Sequence, residues 1–207
     1  MSYELKAYLS TNITLVYDKL PLENIDLNAL RNILGTAQAR LIDSPEMIVA
    51  VAPPSKIMLQ FGDRRIRITD SDNKPADQSE VWSMALQVNE LASASKLEAY
   101  GFNFDIGIEK HGSLPAKEFL KKRFLPNERE ISKLVEGKVQ KTIPRIIFTR
   151  GNALYDMFLE PIKGKSIQVH INAHFQRDVF PGEKELQKSF LAEFNKFLNI
   201  VKSLLRE

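Results

Sequence analysis

Apolar residues recur every three to four positions in several parts of the chain, which is the spacing of one face of an α-helix. The longest of these stripes runs from residue 183 to residue 206. Shorter stripes predict a helix over residues 27–40 and another that begins with a capping-box pattern at Asp77. Residues 111–141 are expected to hold two short helices that are separated at Pro126.

Other segments alternate apolar and polar residues, which is the pattern of a strand with one buried and one polar face. The alternation is strict in residues 99–109 and in residues 166–175. Shorter apolar runs, separated by turn residues such as Gly62-Asp63 and Gly151-Asn152, predict further strands joined as antiparallel meanders. The chain is therefore expected to combine antiparallel strands with amphipathic helices, which is the α+β class.

Residues 47–95 and residues 144–206 share one order of elements: three short antiparallel strands, a polar linker and an amphipathic helix. This shared order favours two βββα units within a single α+β domain that spans residues 1–207, as after a structural duplication. Coincidence is the alternative, because a meander followed by a helix is a common arrangement. The predicted fold thus consists of antiparallel β-meanders packed with amphipathic helices.

The composition is that of an ordinary soluble protein, because 43% of the 207 residues are hydrophobic and 27% are charged. No apolar run approaches the roughly 20 residues that a membrane-spanning helix needs, and the N-terminus has no secretory signal pattern. The chain contains no cysteine. This absence removes disulfides, thiolate nucleophiles and Cys-type zinc or iron–sulfur sites, and we expect a cytoplasmic protein.

The formal net charge of +3 is unevenly distributed along the chain. Residues 1–109 carry 10 Lys and Arg against 15 Asp and Glu, whereas residues 110–207 carry 19 against 11. The two parts therefore have net charges of −5 and +8. Such an asymmetry indicates a basic surface for an acidic partner, or two oppositely charged faces that meet when copies assemble, unless the two parts mix in space.

Two of the three histidines, His170 and His174, lie four positions apart in the alternating segment 166–175. On a helix this spacing would suit a zinc site, but on a strand it separates the two residues by about 13 Å. We therefore predict no metal site, no cofactor and no catalytic residue from known motifs. The polar faces of this strand and of the strand at 99–109 form a candidate polar strip, which comprises His170, Asn172, His174, Asp105 and Glu109.

An enzyme with an unrecognised site on this polar strip is one functional hypothesis. Asp105 and Glu109 are themselves about 13 Å apart along their strand, which is too far for the paired carboxylates of glycosidases. Either carboxylate can pair with Arg65 or Arg67 across a sheet, which would make the strip a solvent-facing, salt-bridged surface. We therefore lean towards a protein without enzymatic activity.

Basic residues are concentrated in residues 117–150, and further arginines lie together on a predicted hairpin at 64–67. If these groups converge on one surface they would suit a nucleic acid, which is a second hypothesis. A solvated charged helix is the alternative, since no aromatic-basic signature of a known RNA-binding module accompanies them. The candidate nucleic-acid contacts are Arg65, Arg67, Lys121, Lys122, Arg123, Lys138 and Lys141.

The apolar stripe of the C-terminal helix is broader than one intramolecular contact requires. It indicates a second contact, between subunits, through Phe190, Leu191, Phe194 and Leu205, unless the whole stripe packs inside the chain. Together with the charge asymmetry and the missing catalytic motifs, the stripe favours a non-catalytic interaction or assembly protein that self-associates. We expect a protein partner or a second copy, with nucleic acid as the alternative partner and no membrane association.

Overall fold

The computed structural model describes residues 3–36, 39–54 and 56–206. The strands are β1 (Tyr3–Tyr17), β2 (Arg40–Asp43), β3 (Ile48–Val51), β4 (Ile57–Gly62), β5 (Arg65–Asp70), β6 (Leu97–Lys110), β7 (Arg145–Arg150), β8 (Ala153–Pro161) and β9 (Ser166–Phe175). The α-helices are α1 (Leu27–Ile33), α2 (Val81–Leu91), α3 (Ala116–Phe124), α4 (Glu128–Leu134) and α5 (Glu183–Leu204).

Within these described residues, all nine strands belong to one sheet, in the order β2-β3-β4-β5-β1-β6-β9-β8-β7. Every neighbouring pair is antiparallel. The two predicted meanders form the two outer parts of this sheet, and the long strands β1 and β6 lie between them. The predicted α+β class with antiparallel meanders is confirmed.

Helices α2, α3 and α5 pack on one face of the sheet, because alternate residues of its strands are apolar. On β6, Phe102 and Phe104 lie against Phe190 of α5, with ring centroids 5.5 and 5.2 Å apart. Burying a side chain of this size contributes on the order of 2–3 kcal/mol. We call the opposite side, formed by the strand residues that point away from α2 and α5, the open face.

The strand order keeps the two halves of the chain at opposite ends of the sheet. Strands β1 to β5 come from residues 3–70 and strands β6 to β9 from residues 97–175, and the halves adjoin where β1 pairs with β6. Both expected meander-plus-helix segments are present, as β3-β4-β5-α2 and as β7-β8-β9-α5. Their origin by duplication, and the single-domain assignment, stay predictions.

The charge asymmetry is smaller when the chain is divided at the start of β6 than the count along the sequence indicated. Residues 1–96 carry 10 Lys and Arg against 12 Asp and Glu, and residues 97–207 carry 19 against 14. The two halves of the chain thus have net charges of −2 and +5. The difference arises because β6 brings Glu98, Asp105 and Glu109 into the basic half.

Helix α1 is shorter than the stripe over residues 27–40 predicted. It ends at Ile33, and Gly35 follows with a φ of +65°. This left-handed conformation is the usual end of a helix and is accessible to glycine without strain. Residues 37 and 38 of the predicted helix lie outside the described residues, and Arg40 already belongs to β2.

Helix α2 begins at Val81 rather than at Asp77, so the predicted capping box is wrong. Ala76–Gln78 form a separate turn of 3-10 helix before it. The buried carboxylate of Asp70 holds this turn, because the Ser79 hydroxyl donates to it at 2.8 Å. Asp77 therefore caps no α-helix.

Candidate functional site

The polar strip lies on the open face, where β6 pairs with β9. The register of this pair places Asp105 opposite His170 and Asn103 opposite Asn172. Side chains that are directly opposite in an antiparallel pair have Cβ atoms only about 5 Å apart. The two alternating sequences therefore bring a carboxylate and an imidazole into contact.

His170 and Asp105 form the centre of a small polar cluster with two further residues. His170 Nδ1 lies 2.9 Å from Asp105 Oδ1, and the Ser10 hydroxyl donates to Asp105 Oδ2 at 2.8 Å. The Phe158 ring stacks on the imidazole, with centroids 4.9 Å apart and an interplanar angle of 21°. Ser10 and Phe158 were not expected from the sequence, because only the strand order and register bring β1 and β8 to this place.

The order of groups in the cluster limits its chemistry. In a nucleophilic triad the imidazole lies between the hydroxyl and the carboxylate, so that it can take the hydroxyl proton. Here the Asp105 carboxylate lies between Ser10 and His170. The cluster is therefore not a nucleophilic triad. It fixes the orientation of the His170 ring, because Nδ1 contacts the carboxylate and the Phe158 ring stacks on the imidazole.

Glu109 and His174, the other two titratable residues of the strip, lie apart from this cluster. Glu109 is opposite Ser166, and its carboxylate is 3.5 Å from Lys6 Nζ. His174 Nε2 lies 3.4 Å from the side-chain oxygen of Gln176. Across residues 3–36, 39–54 and 56–206, no group of three or more His, Asp or Glu side chains is arranged to hold a metal ion. The predicted strip is thus a row of separate polar contacts rather than one site.

A tightly packed row of amides continues the strip towards β1. Asn103 Nδ2 donates to Asn12 Oδ1 at 2.7 Å, across the pairing of β6 with β1. Asn172 Oδ1 is buried and has no hydrogen-bond partner among the described residues. A Cβ on Gly101 would lie 3.1 Å from this oxygen. Gly101 therefore leaves the space that the Asn172 amide occupies.

Arg65 and Arg67 do not pair with the carboxylates of the strip. Both arginines lie on β5, and β1 separates β5 from β6. The backbones of β5 and β6 are therefore two strand spacings apart, each of about 4.8 Å. Among the described residues, neither Asp105 nor Glu109 forms an ion pair with either arginine. The expected cross-sheet salt bridges are therefore wrong.

The predicted basic residues do not form one surface either. Arg65 and Arg67 point to the open face, since the residues that alternate with them are buried against the helices. Helix α3 packs through Phe119 on the other side of the sheet. Its Lys122 and Arg123 therefore lie on the helix-covered side, where they border a cavity of about 680 Å³ that Phe119 also lines. One nucleic-acid strand cannot follow both sets along a single face.

Two of the predicted cations are already paired within the chain. Lys121 is buried and its Nζ lies 2.6 Å from Glu128 Oε1, and this hydrogen bond raises the pKa of Lys121. Lys141 Nζ lies 2.5 Å from Glu160 Oε1. Lys138, by contrast, is exposed. The positive charge available to a polyanion is smaller than the sequence suggested.

The predicted subunit contact on α5 is wrong for three of its four residues. Phe190, Phe194 and Leu205 are buried inside the chain, and Leu191 is partly buried. Phe194 packs on Phe104 of β6, with ring centroids 5.1 Å apart. The stripe is broad because the helix lies on the sheet and also meets α2, so several rows of its side chains are covered at once. A contact through Leu191 stays a prediction.

Apolar side chains are exposed at the end of the sheet formed by β7 and β8. Ile147 on β7 is 58% exposed and Leu154 on β8 is 44% exposed, both on the open face. In the described part of the chain β7 pairs with β8 alone, so its other edge is unpaired. Sequence reasoning missed this edge, because "RIIFTR" reads as an ordinary strand until the strand order is known.

No protein-family model matches the chain, and no curated protein matches it. In the part of the chain that the structure describes, every helix is too short or too polar to cross a membrane. A function is therefore inferred from the geometry of the fold.

Proposed function

We propose that this chain is a non-catalytic interaction protein that assembles with itself. One observation carries the proposal: in the described part of the chain the outer edge of the six-residue strand β7 is unpaired, and exposed apolar residues lie on this strand and beside it. Ile147 is 58% exposed and Ile143, just before the strand, is 47% exposed. Unpaired N–H and C=O groups together with apolar side chains form a template for another strand.

The two edges of the sheet differ in how well they are protected. Natural edge strands avoid unwanted pairing by being short, charged or bulged. Strand β2 fits this description, because it has four residues with Arg40 and Asp43 at its ends. Strand β7 is longer, and the four residues between Arg145 and Arg150 are uncharged. We therefore assign association to the β7 edge.

Multi-angle light scattering after size-exclusion chromatography tests this proposal. The monomer mass is 23.6 kDa. A concentration series over roughly two orders of magnitude should show the mass rising above this value, because association follows mass action. A mass that stays at the monomer value throughout the series would refute self-association.

The contribution of β7 can be tested with a matched pair of variants. Ile147→Asp places a charge at the centre of the edge and should keep the chain monomeric. Ile42→Asp is the control, since Ile42 is 61% exposed and lies on the open face of the opposite edge strand, β2. This control should associate like the wild type, and equal losses in both variants would contradict the assignment to β7.

The oriented imidazole of His170 favours acid–base chemistry on the open face as a second function. The supporting observation is the 2.9 Å contact of its Nδ1 with Asp105, which holds the ring in place. A screen of aryl esters and phosphodiesters would test it. His170→Ala should lower any rate found by about 10²–10⁴-fold. His174→Ala is the matched control, and equal rates in the two variants would exclude His170 as the proton-transfer group.

A further inference from the structure

The direction of the backbone groups on β7 follows from one hydrogen bond at its start. The Leu159 N–H donates to the Pro144 carbonyl at 3.1 Å, so residue 144 bonds towards β8. In an antiparallel pair, residues alternate between those that bond to a given neighbour and those that bond away from it. Three residues of β7 therefore direct both backbone groups to the unpaired side: Arg145, Ile147 and Thr149.

We infer that this side of β7 pairs antiparallel with β7 of a second copy, about a two-fold axis at Ile147. The inference rests on the proposed self-association through β7 and adds which strand pairs with this edge and in which register. A two-fold axis perpendicular to the sheet makes the two β7 strands antiparallel and keeps the helices of both copies on the same side. The two sheets would then continue as one.

The side-chain period restricts the register of this pairing. Opposite residues of an antiparallel pair point to the same face of the sheet. A residue of the open face, such as Ile147, must therefore lie opposite another residue of the open face in the second copy. One residue of β7 must consequently lie directly opposite the same residue of the second copy, and the axis passes midway between these two residues.

An axis at Ile147 gives the residues of β7 compatible neighbours. On the open face Ile147 meets the second copy's Ile147, which covers the most exposed apolar side chain of the strand. Arg145 meets the second copy's Thr149, so the two copies' arginines are not opposite each other. On the helix-covered face Ile146 meets the second copy's Phe148. Apolar and β-branched cross-strand pairs of this kind stabilise antiparallel sheets.

An axis one residue further along fits less well. If it passed through Phe148, Arg150 would lie opposite Ile146, which sets a charge against an apolar side chain. Placed at Ile147, the axis sets no charged residue of β7 opposite an apolar residue of the second copy's β7. Arg145 already forms a two-pronged ion pair with Asp156, at 2.8 and 2.5 Å, within its own chain.

Pairing of β7 with β2 of the next copy is the alternative. Because neighbouring strands alternate in direction, the first and ninth strands of the sheet run the same way. A head-to-tail contact with all helices on one side would therefore be parallel, and β2 offers only four residues. The opposite net charges of the two halves act at longer range, and salt screens them beyond about 8 Å.

The cysteine-free sequence allows a direct test. Across the axis, the two copies' residue 147 would form a hydrogen-bonded pair with Cα atoms about 5.5 Å apart, within the 4.4–6.8 Å range that disulfides span. Under mild oxidation Ile147→Cys should give a covalent dimer that a reducing agent separates. Ile42→Cys is the matched control and should stay monomeric at the same concentration. Because both isoleucines are exposed, the far-UV circular dichroism of each variant should equal that of the wild type.

A second pair of variants tests the register. Arg145→Cys and Thr149→Cys should each fail to cross-link alone, because four residues along two strands separate like positions by about 13 Å. An equimolar mixture of the two should cross-link, since Arg145 lies opposite the second copy's Thr149. Cross-linking of either variant with itself, but not of the mixture, would place the axis elsewhere and overturn the register.

The outcomes separate the inference from the proposed function on which it rests. Light scattering that shows association while Ile147→Cys gives no covalent dimer overturns the pairing of β7 about an axis at Ile147 and leaves self-association standing. A chain that stays monomeric at every concentration overturns both. A covalent dimer formed only when Ile42→Cys and Ile147→Cys are mixed would establish the head-to-tail contact instead.

Discussion

A buried hydrogen bond between Tyr155 on β8 and Glu193 on α5 connects the C-terminal helix to the sheet. Tyr155 Oη donates to Glu193 Oε2 at 2.8 Å, and Lys196 Nζ lies 2.5 Å from Oε1 of the same carboxylate. Tyr155 and Glu193 are both buried. Tyr155→Phe removes the hydroxyl and keeps the ring, which stacks on Phe148 with centroids 4.8 Å apart. The substitution therefore isolates one hydrogen bond.

The expected cost follows from the charge and burial of the acceptor. A hydrogen bond to a charged group contributes about 1.5–3 kcal/mol, and a buried carboxylate that loses a partner keeps the cost of its desolvation. We therefore expect Tyr155→Phe to lower the free energy of unfolding by about 2 kcal/mol. At roughly 2–4 °C per kcal/mol for a chain of this size, Tm should fall by about 4–8 °C.

Urea denaturation followed by circular dichroism measures this loss, and the midpoint should move while the slope m stays unchanged. Tyr3→Phe is the matched control, because Tyr3 Oη donates to a neutral acceptor, the Leu198 carbonyl, at 3.3 Å. It should cost about 1 kcal/mol or less. Equal losses in the two variants, or a loss below about 0.5 kcal/mol for Tyr155→Phe, would refute the argument that the buried charge strengthens this bond.

Tyr155→Phe should also change how the free energy of unfolding depends on pH in the alkaline range. Burial, and then the hydrogen bond to Glu193, raises the pKa of Tyr155 well above its ordinary value. The folded chain therefore keeps the Tyr155 proton to higher pH than the unfolded chain does. The contribution of the protonated Tyr155 to the free energy of unfolding is fully present below about pH 10 and is lost as the pH rises further. Between about pH 9 and about pH 11, Tyr155→Phe should lose less stability than the wild type.

Three further substitutions test other parts of the structure. The hydrogen bond from Arg145 holds the pKa of Asp156 below its ordinary value, so this pair stabilises the fold above about pH 4 and ceases to do so as the pH falls through the lowered value. In acid denaturation, the stability difference between the wild type and Asp156→Asn should shrink towards about pH 2, and a constant difference would contradict this. Phe190→Ala removes a fully buried ring and should cost about 3–5 kcal/mol in urea denaturation, whereas a loss below about 1 kcal/mol would mean that the ring is not packed as described. Gly35→Ala should lower the free energy of unfolding by about 1 kcal/mol, because the φ of +65° is strained for alanine. The new Cβ itself would meet no atom within 4 Å. An unchanged midpoint of urea denaturation would argue against this backbone conformation.

Much of the secondary structure could be predicted because side-chain periodicity is a local property. The alternating segments at 99–109 and 166–175 are β6 and β9, and the stripe at 183–206 is α5. Local sequence does not determine which strands are neighbours. The contact of Asp105 with His170 depends on β6 and β9 being adjacent and on a register that one residue of slip would change. The sequence therefore supplied the polar faces but not the cluster.

The predicted subunit contact on α5 was wrong for a related reason. Counting apolar residues on α5 showed a broad stripe, but not how much of it the sheet and α2 would cover. Exposure is a property of the assembled fold, so Phe190 and Phe194 proved buried while Ile147, in a short and unremarked strand, proved exposed. An edge strand differs from a central strand by its position in the sheet. The composition of β7 alone did not reveal that it is an edge strand.

The seam between β1 and β6 has a consequence for dividing the chain. Pairing along this seam runs from Tyr3 opposite Lys110 to Tyr17 opposite Leu97, and α2 meets α5 beside it. A cut after Lys96 would leave each fragment with its own meander and its own helix, and it would expose one new edge on each, β1 on the first and β6 on the second, which pair with each other in the intact chain. Their net charges of −2 and +5 attract. Two separately produced fragments should therefore recombine at this seam, which makes it the natural place to split the protein for a complementation assay.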